Sequence, residues 1–228
     1  MLLNIVRFDK LRAMIPPWLN KKTVSWALYD FADTAFSALF ITFFFPILVV
    51  VHLGGNEFHV GLALGLSVAV AALLVPLIGA FSDASGRRLP ILITAALATA
   101  LLTILVGYSG LVAALGLGFL ARITNLISKD IYDAKMVDLV RRSQYGSLSG
   151  FGIGVGYLGT LASLAVGYAL LYRFGWDTVE GIRAIFWETA AFYMIFSLPL
   201  FVWVPDKKRF RRVKWSAAVK KAVAEIQK

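Results

Sequence analysis

Residues 150–159 read GFGIGVGYLG, and within them Gly154, Gly156 and Gly159 satisfy the G-x-G-x-x-G spacing that cradles a dinucleotide pyrophosphate. Asp177 lies about twenty positions on, where a nucleotide-binding unit wants an acid for the ribose. Such a fingerprint must follow a strand and open a helix. The residues before Gly150 are LVRRSQYGSLS, polar and without a strand pattern, so the nucleotide reading fails on context. The same glycines give interleaved G-x-x-x-G spacings, Gly150 with Gly154 and Gly152 with Gly156, while Gly152, Gly156, Gly159, Ser163 and Gly167 make one small-residue stripe. On a membrane helix a stripe of this kind lets a neighbour approach closely, van der Waals contact replacing the missing hydrophobic drive. The stretch reads as a packing face, smooth enough for a helix that slides or rocks.

Composition supports a membrane setting. The chain has 228 residues, 59% of them hydrophobic, where a soluble protein averages about 45–50%, and its mean hydropathy is +0.77. Residues 89–110, LPILITAALATALLTILVGYSG, contain no charge at all, which is enough to cross a bilayer. With no cysteine, disulfides and cysteine-based metal or thiol chemistry are excluded. His52 and His59 flank LGGNEF, too few ligands for a metal site, so no metal or cofactor is expected.

Hydropathy over windows of about twenty residues predicts an all-α polytopic protein with six spans, roughly 24–52, 60–81, 89–108, 111–131, 147–171 and 184–204. The first is long for one crossing and contains Pro46, which predicts tilt, a kink or an interfacial turn. Positive charge sets the orientation. Arg7, Lys10, Arg12, Lys21 and Lys22 precede span one; Arg87 and Arg88 follow span two; Arg141 and Arg142 follow span four; nine more Lys or Arg lie in the tail. The alternate loops hold only Arg173 and Arg183, so both termini are expected in the cytoplasm. This asymmetry accounts for most of the +10 net charge, and no nucleic-acid partner is needed to explain it. The division follows: a cytoplasmic amphipathic N-terminal segment over 1–23, a six-helix bundle over 24–204, and a basic tail helix over 205–228.

Inside the spans, polar groups are concentrated on two helices. Asp30 and Asp33 lie about 9 and 14 Å into span one from Val24, with Thr34 and Ser37 continuing their face. An ionised carboxylate at such depth is costly unless paired or hydrated, which marks a pathway or coupling group as against a structural ion pair. Span four offers partners: Arg122, Asn125, Lys129 and Asp133 recur every three or four residues. Span three has no charge and span six only Glu188, so helices one, four and five are expected to line a cleft, helices three and six to form the outer wall, and helix two to support the cleft from the side.

Between spans two and three, GAFSDASGRRLP reads as a tight turn in which Gly79 permits close packing, Asp83 caps or accepts from arginine and Gly86 turns the chain. GAFSDASGRR resembles the loop motif of the major facilitator superfamily, Gly-x-x-x-Asp-basic-x-Gly-Arg-basic, at Gly79, Asp83, Gly86, Arg87 and Arg88, and departs from it at Ala84. SWALYDFADTAFS, YDAKMVDLV, SLSGFGIGVGYLGT and FSLPLFVWVPD resemble the vacuole-effluxer-like branch of that superfamily, the autophagy-related amino-acid effluxers and their bacterial relatives. Trp26, Tyr29, Asp30, Ala32, Ala35, Phe36, Tyr132, Asp133 and Asp138 match it, whereas Asp33 stands for an asparagine, Thr34 for a serine, and Lys135 and Val137 for leucine and proline. The resemblance implies half of a twelve-span fold, completed by a parallel homodimer or a separately encoded second half.

Secondary transport of a small polar solute by alternating access is the expected function, with Tyr29, Asp30, Asp33, Thr34, Arg122, Asn125, Lys129 and Asp133 on the substrate or coupling-ion pathway. The resemblance implies amino acids or similar solutes as cargo and a bacterial-type inner membrane as the location. An acid able to change charge in the cleft would suit proton coupling. Two other classes compete. An orphan half could serve as a non-transporting scaffold or be a truncated fragment. An intramembrane aspartyl protease would use Asp30 and Asp133, each preceded by tyrosine, but the Gly-x-Gly-Asp sequence such chemistry wants is absent. No G-x-x-x-x-G-K-[ST] occurs, so an ATPase of its own is not expected.

Overall fold

The computed structural model describes residues 16–207, and every long element in it is a helix. The amphipathic segment expected before residue 16 and the tail helix expected beyond residue 207 lie outside the described residues. Among the described residues, six helices are long and apolar enough to cross a membrane: α1 Lys21–His52, α2 Glu57–Ser85, α3 Arg88–Val106, α4 Leu111–Lys135, α5 Tyr145–Phe174 and α6 Val179–Trp203. A short 3₁₀ turn, Met136–Asp138, extends α4, and another, Arg142–Gln144, leads into α5.

Side-chain caps set the starts of α1, α2 and α6. Asn20 accepts from the Lys22 and Thr23 amides while Thr23 Oγ1 accepts from the Asn20 amide, so α1 begins before its apolar run does. Asn56 and His59 form the same reciprocal cap on α2, which gives that histidine a structural place. Thr178 Oγ1 accepts from the Gly181 amide at the start of α6, five residues ahead of the hydropathic boundary. Gly86, at φ +68°, ends α2 in the left-handed conformation.

Pro46 does not break the first helix. It sits at the start of a short α segment, Phe45–Ile47, between two under-wound π segments, Ser37–Phe44 and Leu48–His52, which absorb the excess length within one continuous helix.

Helix α1 packs along α5 and α6, α3 packs along α4 and α6, and α2 lies mainly against α4. The expected outer wall of helices three and six needs correction. Helix α6, touching α1, α3 and α5, has 44% of its span enclosed, whereas α2 and α5 have 17% and 22%. Aromatic side chains explain the difference. Tyr193 and Phe186 of α6 are fully buried among Tyr29, Phe36 and Phe40 of α1, so α6 is a core helix despite its apolar sequence.

Candidate substrate pathway between α1 and α4

Helices α1 and α4 face each other in antiparallel register. Trp26 stacks on Tyr132 with centroids 4.4 Å apart and donates from its indole nitrogen to the Tyr132 carbonyl at 3.1 Å. One turn deeper, Lys129 Nζ lies 2.5 Å from Asp30 Oδ1, 3.9 Å from Asp33 Oδ2 and 4.0 Å from Asp133 Oδ1. Deeper again, Asn125 Nδ2 donates to Asp33 Oδ1 at 2.7 Å, and Arg122 donates to Asn125 Oδ1 at 2.8 Å. A ladder of alternating charge and amide thus runs up the contact through Asp30, Lys129, Asp33, Asn125 and Arg122.

Burial grades along the ladder. The Asp30 and Asp33 side chains are 9% and 10% exposed, Lys129 31%, and Asp133 is an exposed residue. Between α2 and α4 lies an open groove of ≈ 330 Å³, lined on one side by Val68, Ala71, Ala72 and Val75 and on the other by Leu126, Lys129, Asp130 and Asp133. The lysine therefore links the enclosed aspartates to an accessible face. Carboxylates this deep need such a partner, because low dielectric makes an uncompensated charge costly.

Two pathway residues are placed otherwise. Tyr29 turns away from the groove: its hydroxyl lies 2.6 Å from Tyr193 and donates to Ser128 at 2.8 Å, and the ring is fully buried, so it knits α1, α4 and α6 together. Thr34 bonds back to the Asp30 carbonyl at 2.8 Å beside α5. The protease arrangement also fails on geometry, since Lys129 sits against Asp30 and Asp133 where a dyad would need a shared proton.

Helix α5 closes the back of this contact through its small residues. A Cβ on Gly159 would lie 2.1 Å from the Phe31 carbonyl oxygen, one on Gly156 2.6 Å from Thr34 Oγ1, and one on Gly152 2.8 Å from the Trp26 ring. A Cβ on Gly152 or Gly156 would also come within 3.4 or 3.5 Å of Asp30 Oδ2, so both glycines border that carboxylate. Gly150 and Gly154, counted as packing glycines by their spacing, have nothing within 4 Å, because the α1 contact uses a single face of α5 and these two point off it.

A second charged cluster lies at the end of the bundle carrying the Arg87–Arg88 loop. Arg88 pairs with Asp83 at 2.7 Å and Asp138 at 3.0 Å and donates to the Ala134 carbonyl, tying α2, α3 and α4. Gly79, one helix turn before Asp83, would place a Cβ 3.5 Å from Asp130, an ordinary contact. Arg87 precedes α3, its amide donating to the Ser82 carbonyl. Lys135, fully buried, pairs at 2.9 Å with Asp206, whose two oxygens also accept from the Leu89 amide at the start of α3. Lys135 stands out by sequence only as a departure from the resembling branch, and Asp206 not at all, since each looks like an ordinary flanking charge. The signal that could have found Lys135 is its i+3 spacing from Tyr132 on the buried face of α4.

Six apolar helices with paired charges at mid-depth define an integral multi-pass membrane protein. The family model described as Major Facilitator Superfamily matches residues 31–225, and the chain belongs to that superfamily, a family of transporters rather than enzymes. The chain is 24% identical over 202 residues to a protein named "Uncharacterized MFS-type transporter YxiO" from Bacillus subtilis (strain 168), covering 79% of this chain and 46% of that protein. It thus spans about half the length of this relative. No solved structure matches it.

Proposed function

We propose that the chain is one six-helix half of a secondary transporter that works by alternating access, with Asp30, Asp33, Arg122, Asn125 and Lys129 lining its solute or coupling-ion pathway. The observation that carries this reading is the Lys129 ammonium held among Asp30, Asp33 and Asp133 between α1 and α4, beside an open groove. A purely structural ion pair would be served by one carboxylate sealed from solvent. Here several acids share one lysine, so moving a proton or a solute cation into the cluster repartitions it without leaving a charge bare.

A second six-helix half, such as a parallel copy of this chain, completes the pathway, and α2 and α5, the least enclosed helices among the described residues, offer the faces for it. Small polar solutes such as amino acids, the vacuole-effluxer-like branch and a bacterial inner membrane follow from the sequence resemblance. The loop motif at Gly79, Asp83, Gly86, Arg87 and Arg88 serves the end of the bundle where Arg88 joins three helices.

The test is solute-driven proton movement in proteoliposomes holding a pH-sensitive dye, with amino acids supplied singly. Asp30→Asn is expected to abolish the signal while elution profile and melting temperature stay close to wild type. Unchanged flux in Asp30→Asn removes that carboxylate from the mechanism. Absence of flux in the wild type with its second half present leaves a scaffold.

A further inference from the structure

We propose that Arg122 is an anion-binding residue of the mid-membrane pathway and that the solute it serves carries a carboxylate or phosphate group. The assignment of that anion to a transported solute rests on the transport reading above.

Position comes first. Arg122 lies about 16 Å along α4 from Leu111, near the middle of a hydrocarbon core roughly 30 Å thick. Along the antiparallel contact, Trp26 meets Tyr132, Asp30 meets Lys129 and Asp33 meets Asn125. The next step of that register sets Arg122 opposite Phe36 and Ser37, neither of them an acid. At Ser37 the helix also turns into its first π segment, a widening of the backbone that recurs at functional sites.

Partnering separates the two cations of the ladder. Lys129 has three carboxylates within 4.0 Å. Arg122 has none within that distance among the described residues, and one of its nitrogens donates to the Asn125 amide oxygen. Asn125 spends its amide nitrogen on Asp33, so a neutral side chain bridges the guanidinium and that acid. A guanidinium keeps its charge under all ordinary conditions. Its remaining donors form a planar fork that fits two oxygens of one carboxylate or phosphate. Because Lys129 already engages Asp30 and Asp33, an anion at the Arg122 end of the ladder does not confront two bare carboxylates.

The experiment labels the arginine directly. The full chain, with any partner that co-purifies, is placed in phosphatidylcholine nanodiscs and treated with phenylglyoxal, and modification of Arg122 is followed by peptide mass spectrometry. Asn125→Asp, which puts a carboxylate where an amide oxygen already touches the guanidinium, supplies the reference for a paired arginine. Wild-type Arg122 is expected to react about tenfold faster than this reference, the difference between a neutral and a charge-assisted hydrogen bond. Propionate or inorganic phosphate is expected to slow the reaction, and propionamide and propylammonium to leave it unchanged.

Equal rates in wild type and reference, or equal slowing by all four probes, overturn the proposal. So does protection by adding phosphatidylglycerol to the nanodiscs without any soluble anion, which would make the ligand a lipid headgroup. The four-probe competition is read on wild type alone and stands even where Asn125→Asp does not fold. Labelling needs no flux, so protection by soluble anions without transport keeps the anion site and removes the transport reading, and transport without protection does the reverse.

Discussion

The two charged clusters, one at mid-depth between α1 and α4 and one at the Arg87–Arg88 end, use the same residue types to different ends. At the end cluster the acceptors are closed around their donors: Arg88 has Asp83, Asp138 and a carbonyl, and Asp206 takes both Lys135 and the Leu89 amide. Every charge there also fastens a helix end, so the cluster holds four helices in place. The mid-depth ladder is asymmetric. One lysine is shared among three acids, one arginine has only an amide, and the exposed flank opens onto the groove. Closed valences suit a joint, and shared or open ones suit a pathway.

The largest way to break this comparison is at Asp206. Replacing it by Ala strands the buried Lys135 ammonium and uncaps α3, which is expected to cost about 3–5 kcal/mol of stability. Thermal unfolding in detergent reads this, and a pair Lys135→Met with Asp206→Leu should recover most of the loss. If Asp206→Ala melts like wild type, the end cluster is not a joint.

Next in size is Gly159→Ala, where the new Cβ meets the Phe31 backbone and the helices must part, at about 1–3 kcal/mol. Gly154→Ala, in open space, should melt no lower than wild type. The pair measured side by side tests whether α5 uses a single face.

Tyr29→Phe removes hydroxyl bonds to Ser128 and Tyr193 and is expected to lower stability by about 1–2 kcal/mol, with flux per folded molecule unchanged. A loss of flux out of proportion to stability would return Tyr29 to the pathway. The smallest effect is expected for Asp83→Asn, whose carboxylate is half exposed and whose partner Arg88 keeps Asp138, at below about 1 kcal/mol.

Legibility from sequence followed the range of the interaction. The number of spans needed only local hydropathy, and six are found among the described residues; their starts moved outward by three residues at α1 and α2 and five at α6, because Asn20, Asn56 and Thr178 cap turns that a hydropathy average cannot see. The polar stripes of α1 and α4 were visible as helical spacing, and the structure sets them face to face. The turn of Tyr29 toward Tyr193 was not legible, since tyrosine carries both an apolar ring and a hydroxyl and its sequence position does not say which way it points.

The sequence by itself determined the class of environment, the number of crossings and which helices carry charge, since these depend on composition and on residues within a turn or two of each other. It also held the small-residue stripe on α5, whose period is that of a helix. Only the tertiary structure decided that α6 is core and α2 and α5 are outer, that Asp206, just past the end of α6, neutralises Lys135, and that Asn125 bridges Arg122 and an acid. Those facts join residues from 71 to 164 positions apart. Which acid a buried cation meets is set by helix rotation and register, and hydrophobic periodicity leaves both open until the aromatic side chains have packed.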